Sequence, residues 1–249
     1  MMIVEEIKKN FRLNNLNLAH YITSILWPML SIIMIIYQFL PYGTLELKIE
    51  GMNMGFYIFT GITVLIIFGN QAMFANKIIQ EKYLGIMETI VIAPLSNIQY
   101  AASRAISNLL SNIWILFLYG LVILTIYNTD LILVILTILI IAGAAINWGV
   151  LLTIISMGVR DPSILFLLID GPVELVANVK IPFQFLPNYL VILGTLYPQF
   201  YLLIAIRNLL INDSFNGLVA VIVSNLVITL ISLIINRYFE RYKDSWSVY

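Results

Sequence analysis

The chain has no cysteine. That removes disulfides, thiol nucleophiles and cysteine-ligated metals, and it leaves the redox compartment unread. There is a single histidine, His20, at the edge of an apolar run. Any catalytic or metal motif that needs two histidines is therefore excluded, and His20 is read as structural. Charge is also scarce. Only 10% of residues are charged and 61% are hydrophobic, whereas soluble domains carry roughly 25% charged residues. The formal net charge is zero, which argues against a nucleic-acid binder. No glycine is followed by lysine and no G-x-G-x-x-G occurs, so neither phosphate-cradling loop is present. With no catalytic constellation and no metal-ligand cluster, the chain is not expected to be an enzyme or to hold a cofactor.

What is present is a series of long apolar runs. A membrane core of ~30 Å takes about 20 helical residues at ~1.5 Å each. Spans are expected at about 21–40, 54–75, 98–127, 131–157, 163–180 and 217–236. The first follows some mostly polar residues and is longer than the core of a signal peptide, so it is read as retained. Pro28 should kink it, which membrane helices tolerate. Residues 1–19 place Ile3, Val4, Ile7 and Phe11 on one face, as an interfacial helix would. Residues 181–210 are apolar but broken by Pro182, Pro187, Gly194 and Pro198, and short re-entrant helices are expected there instead of a further crossing. No linker divides the chain, so residues 1–249 form one all-α membrane domain.

Three polar features interrupt this pattern. Asn76 to Asn97 carries Lys77, Glu81, Lys82 and Glu88 with one greasy side; it suits a short amphipathic helix at the membrane interface, between spans two and three. In span three, Ser103, Ser107 and Ser111 recur every four residues beside Arg104, Asn108 and Asn112. One helix face is thus polar for about three turns. It either joins helices or lines a substrate path. In span five, Asp170 and Glu174 sit one turn apart around Gly171-Pro172. They either lie at membrane depth, lining a path, or face outer water past an early helix end. Lys180 would reach Glu174 only if the helix continues.

Six spans place Lys48, Lys180 and Arg207 on one side and the other ten of the thirteen Lys and Arg residues on the opposite side. The positive-inside rule then makes both termini and the 76–97 loop cytoplasmic.

The 76–97 loop also carries a resemblance. Glu81-Lys82-Tyr83-Leu84-Gly85-Ile86-Met87-Glu88 followed by Ala93-Pro94-Leu95-Ser96 resembles the E-x-x-x-G-x-x-E…(A/T)-P-(L/V)-S pattern of type-2 ATP-binding-cassette (ABC) export permeases. Arg160-Asp161-Pro162 looks like that family's inside turn before span five. Leu186-Pro187, Tyr197-Pro198 and Ala205-Ile206-Arg207 resemble its L-P…N-P…A-x-R run, with Tyr197 where Asn is usual. The motifs cover nearly the whole chain in order, and Pro28 fits as well. The resemblance implies a permease in the cell membrane that dimerises, as a homo- or heterodimer. It would export substrate by alternating access, driven by separate ABC ATPase subunits that bind ATP and Mg. It implies a coupling helix between spans two and three, with Glu81, Lys82, Gly85, Glu88 and Pro94 meeting the ATPase, and outer re-entrant helices that close the exit.

Asp170 and Glu174 depart from the family's usually apolar fifth span. Ser103, Ser107, Ser111, Asp170 and Glu174 are the candidate pathway residues. Two readings from other classes stay open: a membrane anchor or assembly protein without transport, and an ion-driven carrier using Asp170 and Glu174. A neighbouring ATPase gene would favour the first reading over both.

Overall fold

The computed structural model describes residues 4–9, 26, 30, 48–49, 52–84, 96–126, 129–159, 171–212 and 214–246. These are mostly helical, with irregular stretches such as 177–182 and 214–217 and a small ribbon, in which β1 (Lys48–Ile49) pairs antiparallel with β2 (Met52–Asn53). The main helices are α1 (Met54–Tyr83), α2 (Asn97–Ser111), α3 (Ile113–Ile126), α4 (Leu131–Gly158), α5 (Asn188–Gly194), α6 (Pro198–Asn212) and α7 (Leu218–Trp246). Helix α1, helix α4 and residues Leu218–Glu240 of α7 are long and apolar enough to cross a membrane. The number rises to five if the bent pairs α2–α3 and α5–α6 each count as one span. This is the composition of a membrane protein.

Helix α1 is thirty residues long, about 45 Å at ~1.5 Å per residue. It overshoots a ~30 Å membrane core. The second span was expected to stop near Ala75, with a loop from Asn76. Instead the helix runs on to Tyr83. Nothing between Asn76 and Tyr83 is Gly or Pro, so polarity alone does not end it.

Helix α2 starts where its cap dictates. The Ser96 hydroxyl accepts from the Gln99 N–H at 3.2 Å, and the Gln99 side chain accepts from the Ser96 N–H at 3.1 Å. This reciprocal capping box satisfies two otherwise orphaned donors. Span three was expected to be one helix over 98–127. It is broken at Asn112, with a 49° bend between α2 and α3. Just before the bend, Ser111 Oγ donates to Ser107 O at 2.9 Å and Asn112 Nδ2 to Asn108 O at 2.9 Å. Such back-bonding competes with the backbone ladder and bends helices.

Helix α1 is the most enclosed of the three long helices. Of its most apolar window 67% is buried, against 33% for α4 and 17% for α7. Helices α2, α4 and α6 pack on it. Small residues allow the closest approach. A Cβ at Gly149 would stand 2.4 Å from Gln71 Oε1 and 3.0 Å from the Ala105 Cβ. Ala144 and Ala145 are buried as well, whereas Gly143 faces open space. At one end of the bundle Gly158 lies against the Phe239 ring, so α4 and α7 meet there. Helix α7 leaves Val219, Ile222, Leu226, Leu230 and Ile234 exposed, an apolar face suited to lipid.

Residues 171–176 are helical, with Gly171-Pro172 inside that stretch. The break comes later, at 177–180, short of the expected end of span five at 180. A 3-10 turn follows at Phe183–Phe185. Helices α5 and α6 then meet at 93°, where Tyr197-Pro198 falls. Helix α7 does not stop at Asn236 but continues through the charged segment to Trp246.

Candidate functional site

The first polar cluster joins the ends of α1, α2 and α4. Arg104, only 3% exposed, points one Nη1 at Glu81 Oε2 at 2.5 Å and also donates to the Tyr100 hydroxyl. The Tyr100 hydroxyl in turn donates to Glu81 at 3.1 Å. The guanidinium also lies 4.9 Å from the Phe74 ring centroid and 5.4 Å from that of Tyr100. Lys82 Nζ donates to the Val159 carbonyl at 2.5 Å, at the end of α4. Helix spacing explains the convergence. Tyr100 and Arg104 are one turn apart on α2, and the overshoot of α1 brings Glu81 level with them.

Of the five residues expected to meet an ATPase, Glu81 and Lys82 are therefore tied to neighbouring helices. Gly85, Glu88 and Pro94 lie outside the described residues, as does the 85–95 stretch of the 76–97 segment expected to form the coupling helix, whereas residues 76–83 are the end of α1. The flanks of that segment are described, and the ion pair between Glu81 and Arg104 binds them together.

The serine stripe on α2 is buried within the chain. Ser103 donates to Tyr100 O at 2.8 Å, Ser107 to Arg104 O at 3.1 Å and Ser111 to Ser107 O at 2.9 Å. Each hydroxyl thus has a partner in its own helix. The neighbouring asparagine row reaches α1 instead, with Asn108 Nδ2 donating to Asn70 O at 3.0 Å. Gln71 answers from α1, its Nε2 donating to Ala105 O at 3.2 Å. The contacts from this face to α1 are thus made by Asn108 and the Ala105 carbonyl, not by the serine hydroxyls.

The second cluster surrounds the break at 177–180. Asp170 lies outside the described residues. Glu174 is ion-paired with Lys180, and its side chain is 42% exposed. That pairing was expected only if the helix continued. It forms although the helix ends at 176, because the turn brings the lysine back over the carboxylate. Asn178 is wholly buried with a positive φ of 63°, a backbone region in which asparagine is enriched. The Tyr57 hydroxyl donates to Asn178 Oδ1. The Phe183 N–H donates to the same oxygen at 3.1 Å. Asn178 Nδ2 is buried without an acceptor among the described residues.

Arg207 is a residue whose interior contacts the sequence reading missed. It was counted as an outer-side charge, yet it is 1% exposed. Its guanidinium donates to Asn178 O at 2.8 Å, Tyr57 O at 2.8 Å and Val179 O at 3.3 Å, and lies 3.4 Å from the Tyr57 ring centroid. Arg104, counted with the cytoplasmic charges, is likewise interior. The available signal was local. Arg207 is the one charge in the run IAIRNLLI, beside Asn208, and a lone cation in such a run turns inward.

A third polar contact lies between α4 and α7. Asn147 Nδ2 donates to Asn225 O at 2.7 Å, and Thr229 Oγ1 donates to Asn147 Oδ1 at 3.1 Å. No group of three or more His, Cys, Asp or Glu residues that could hold a metal occurs among the described residues. Neither a family model nor a curated protein matches the chain.

Proposed function

We propose that the chain is the membrane-spanning permease subunit of an ABC exporter. It moves substrate out of the cell by alternating access, driven by ATP hydrolysis on separate ATPase subunits that carry ATP and Mg. The observation that carries this reading is the junction between α1 and α2. Most of the E-x-x-x-G-x-x-E…A-P-L-S pattern falls on the segment joining them. The two helices are tied by the buried Glu81–Arg104–Tyr100 cluster and to α4 by Lys82. A push delivered to a segment mounted in this way reaches three packed helices at once.

In this reading the segment after α1 is the coupling helix, α2–α3 is one broken span, and α5–α6 is the re-entrant pair before the last span. With residues 1–75 and span five this makes six spans and cytoplasmic termini. A second permease completes the pathway. Glu174 lends no support to the ion-driven alternative, because it is 42% exposed and paired with Lys180. The test is purification of the tagged chain from its native membranes, with the copurified proteins searched for an ABC ATPase. The expected result is a stable complex of both proteins that survives in mild detergent. Recovery of the chain without the ATPase, with the chain itself folded and inserted, would refute the proposal.

A further inference from the structure

The break at 177–180 is unusual for a membrane chain. Ala177, Asn178 and Val179 are all 0% exposed, yet none of them is helical. Buried irregular backbone needs donors supplied from elsewhere. Here they come from Arg207, a residue of α6, which donates to both Asn178 O and Val179 O. The same guanidinium donates to Tyr57 O on α1, so one side chain holds the corner, α6 and α1 together.

The fit on either side is equally close. A Cβ at Gly61 would stand 2.1 Å from Val179 O, and one at Gly194 would stand 2.2 Å from Val176 O. The corner therefore lies in a notch that α1 and α5 can offer only as glycine. Asn178 continues the connection towards the bent pair, accepting from the Phe183 N–H, and the Phe183 ring meets Phe200 on α6 at 6.0 Å. These contacts can all be released without unwinding a helix. A planar guanidinium presents five donors in a fixed fork, against three on an ammonium and two on an amide.

We propose that Arg207 and Gly61 form a latch that holds the 177–180 corner shut inside the bundle, and that the corner is a two-state element which opens when the latch is released. This stands on the geometry of the corner and not on the exporter reading, so either can fail alone. A cysteine in place of Val179 reports it, since the native chain has none. The Val179→Cys protein in detergent is treated with a maleimide, alone and combined with Arg207→Gln or Gly61→Ala. Ser156→Cys, at a wholly buried position on α4, reports the rest of the bundle in the same backgrounds.

The latch predicts slow labelling of Val179→Cys alone. It predicts labelling about tenfold faster or more in both combinations, as when a minor open state gains population, while Ser156→Cys stays protected. Unchanged labelling at Val179→Cys in both combinations would overturn it. So would fast labelling of Val179→Cys in the otherwise native protein. Loss of protection at Ser156→Cys as well would make Arg207 a support of the whole fold, which also overturns the latch.

Discussion

Replacing Glu81 by alanine should be far more damaging than replacing its partner, and the structure sets the size of the difference. Arg104 is 3% exposed and Glu81 is 25% exposed, with 2.5 Å between Nη1 and Oε2. Removing the carboxylate leaves a buried guanidinium with the Tyr100 hydroxyl and two aromatic faces. Breaking a buried pair from one side costs about 3–5 kcal/mol. The partial exposure of Glu81 points to the lower end, about 3 kcal/mol. Replacing Arg104 by leucine instead strands a carboxylate that can reach water, for a loss of about 1 kcal/mol, as for exposed pairs. The double variant Glu81→Leu/Arg104→Leu removes both charges and should recover most of the loss of the alanine variant. The assay is equilibrium unfolding by SDS in mixed micelles, followed by tryptophan fluorescence. Equal losses in the two single variants would refute the reasoning, as would a loss below about 1 kcal/mol for Glu81→Ala, the behaviour of a solvent-screened pair.

Two further substitutions separate packing from propensity on α4. Gly143→Ala meets open space and should stabilise by up to about 1 kcal/mol in the same unfolding assay. Gly149→Ala meets Gln71 and Ala105 at 2.4 and 3.0 Å and should destabilise by about 1–3 kcal/mol; the same sign for both would contradict the α1–α2–α4 contact. Lys180→Met removes an ion pair whose members are 34% and 42% exposed, so stability should change by less than about 1 kcal/mol. A larger loss would mean that the pair is shielded from solvent.

Helix α4 was the most legible element. Its expected limits of 131 and 157 compare with an observed Leu131–Gly158, because a long run free of charge is flanked by Asp130 and Arg160. Helix α1 was misjudged at one end, since charge marks where water begins and not where a helix ends. Gly85 is the first helix-weakening residue after Ala75. The bend at Asn112 was hidden because neither Gly nor Pro marks it; it arises from side chains bonding back to their own helix. The serine stripe was visible as a stripe, but its partners were not. The roles of Arg104 and Arg207 depend on pairings across long sequence separations, such as Arg207 with Tyr57. No local pattern records such a pairing. Charge counting assigned both arginines only a membrane side, whereas their donors are used inside the bundle.

In the proposed exporter the segment after α1 receives force from an ATPase, and Glu88 is the charge that the motif places there. The decisive measurement is ATP hydrolysis by an ABC ATPase copurified with the chain and co-reconstituted in proteoliposomes with either the native chain or the Glu88→Lys chain. The native chain should assemble with the ATPase and alter its turnover, whereas Glu88→Lys should insert normally but lose that effect. Identical ATP hydrolysis with the native chain, with Glu88→Lys and with no permease at all would contradict the proposed coupling.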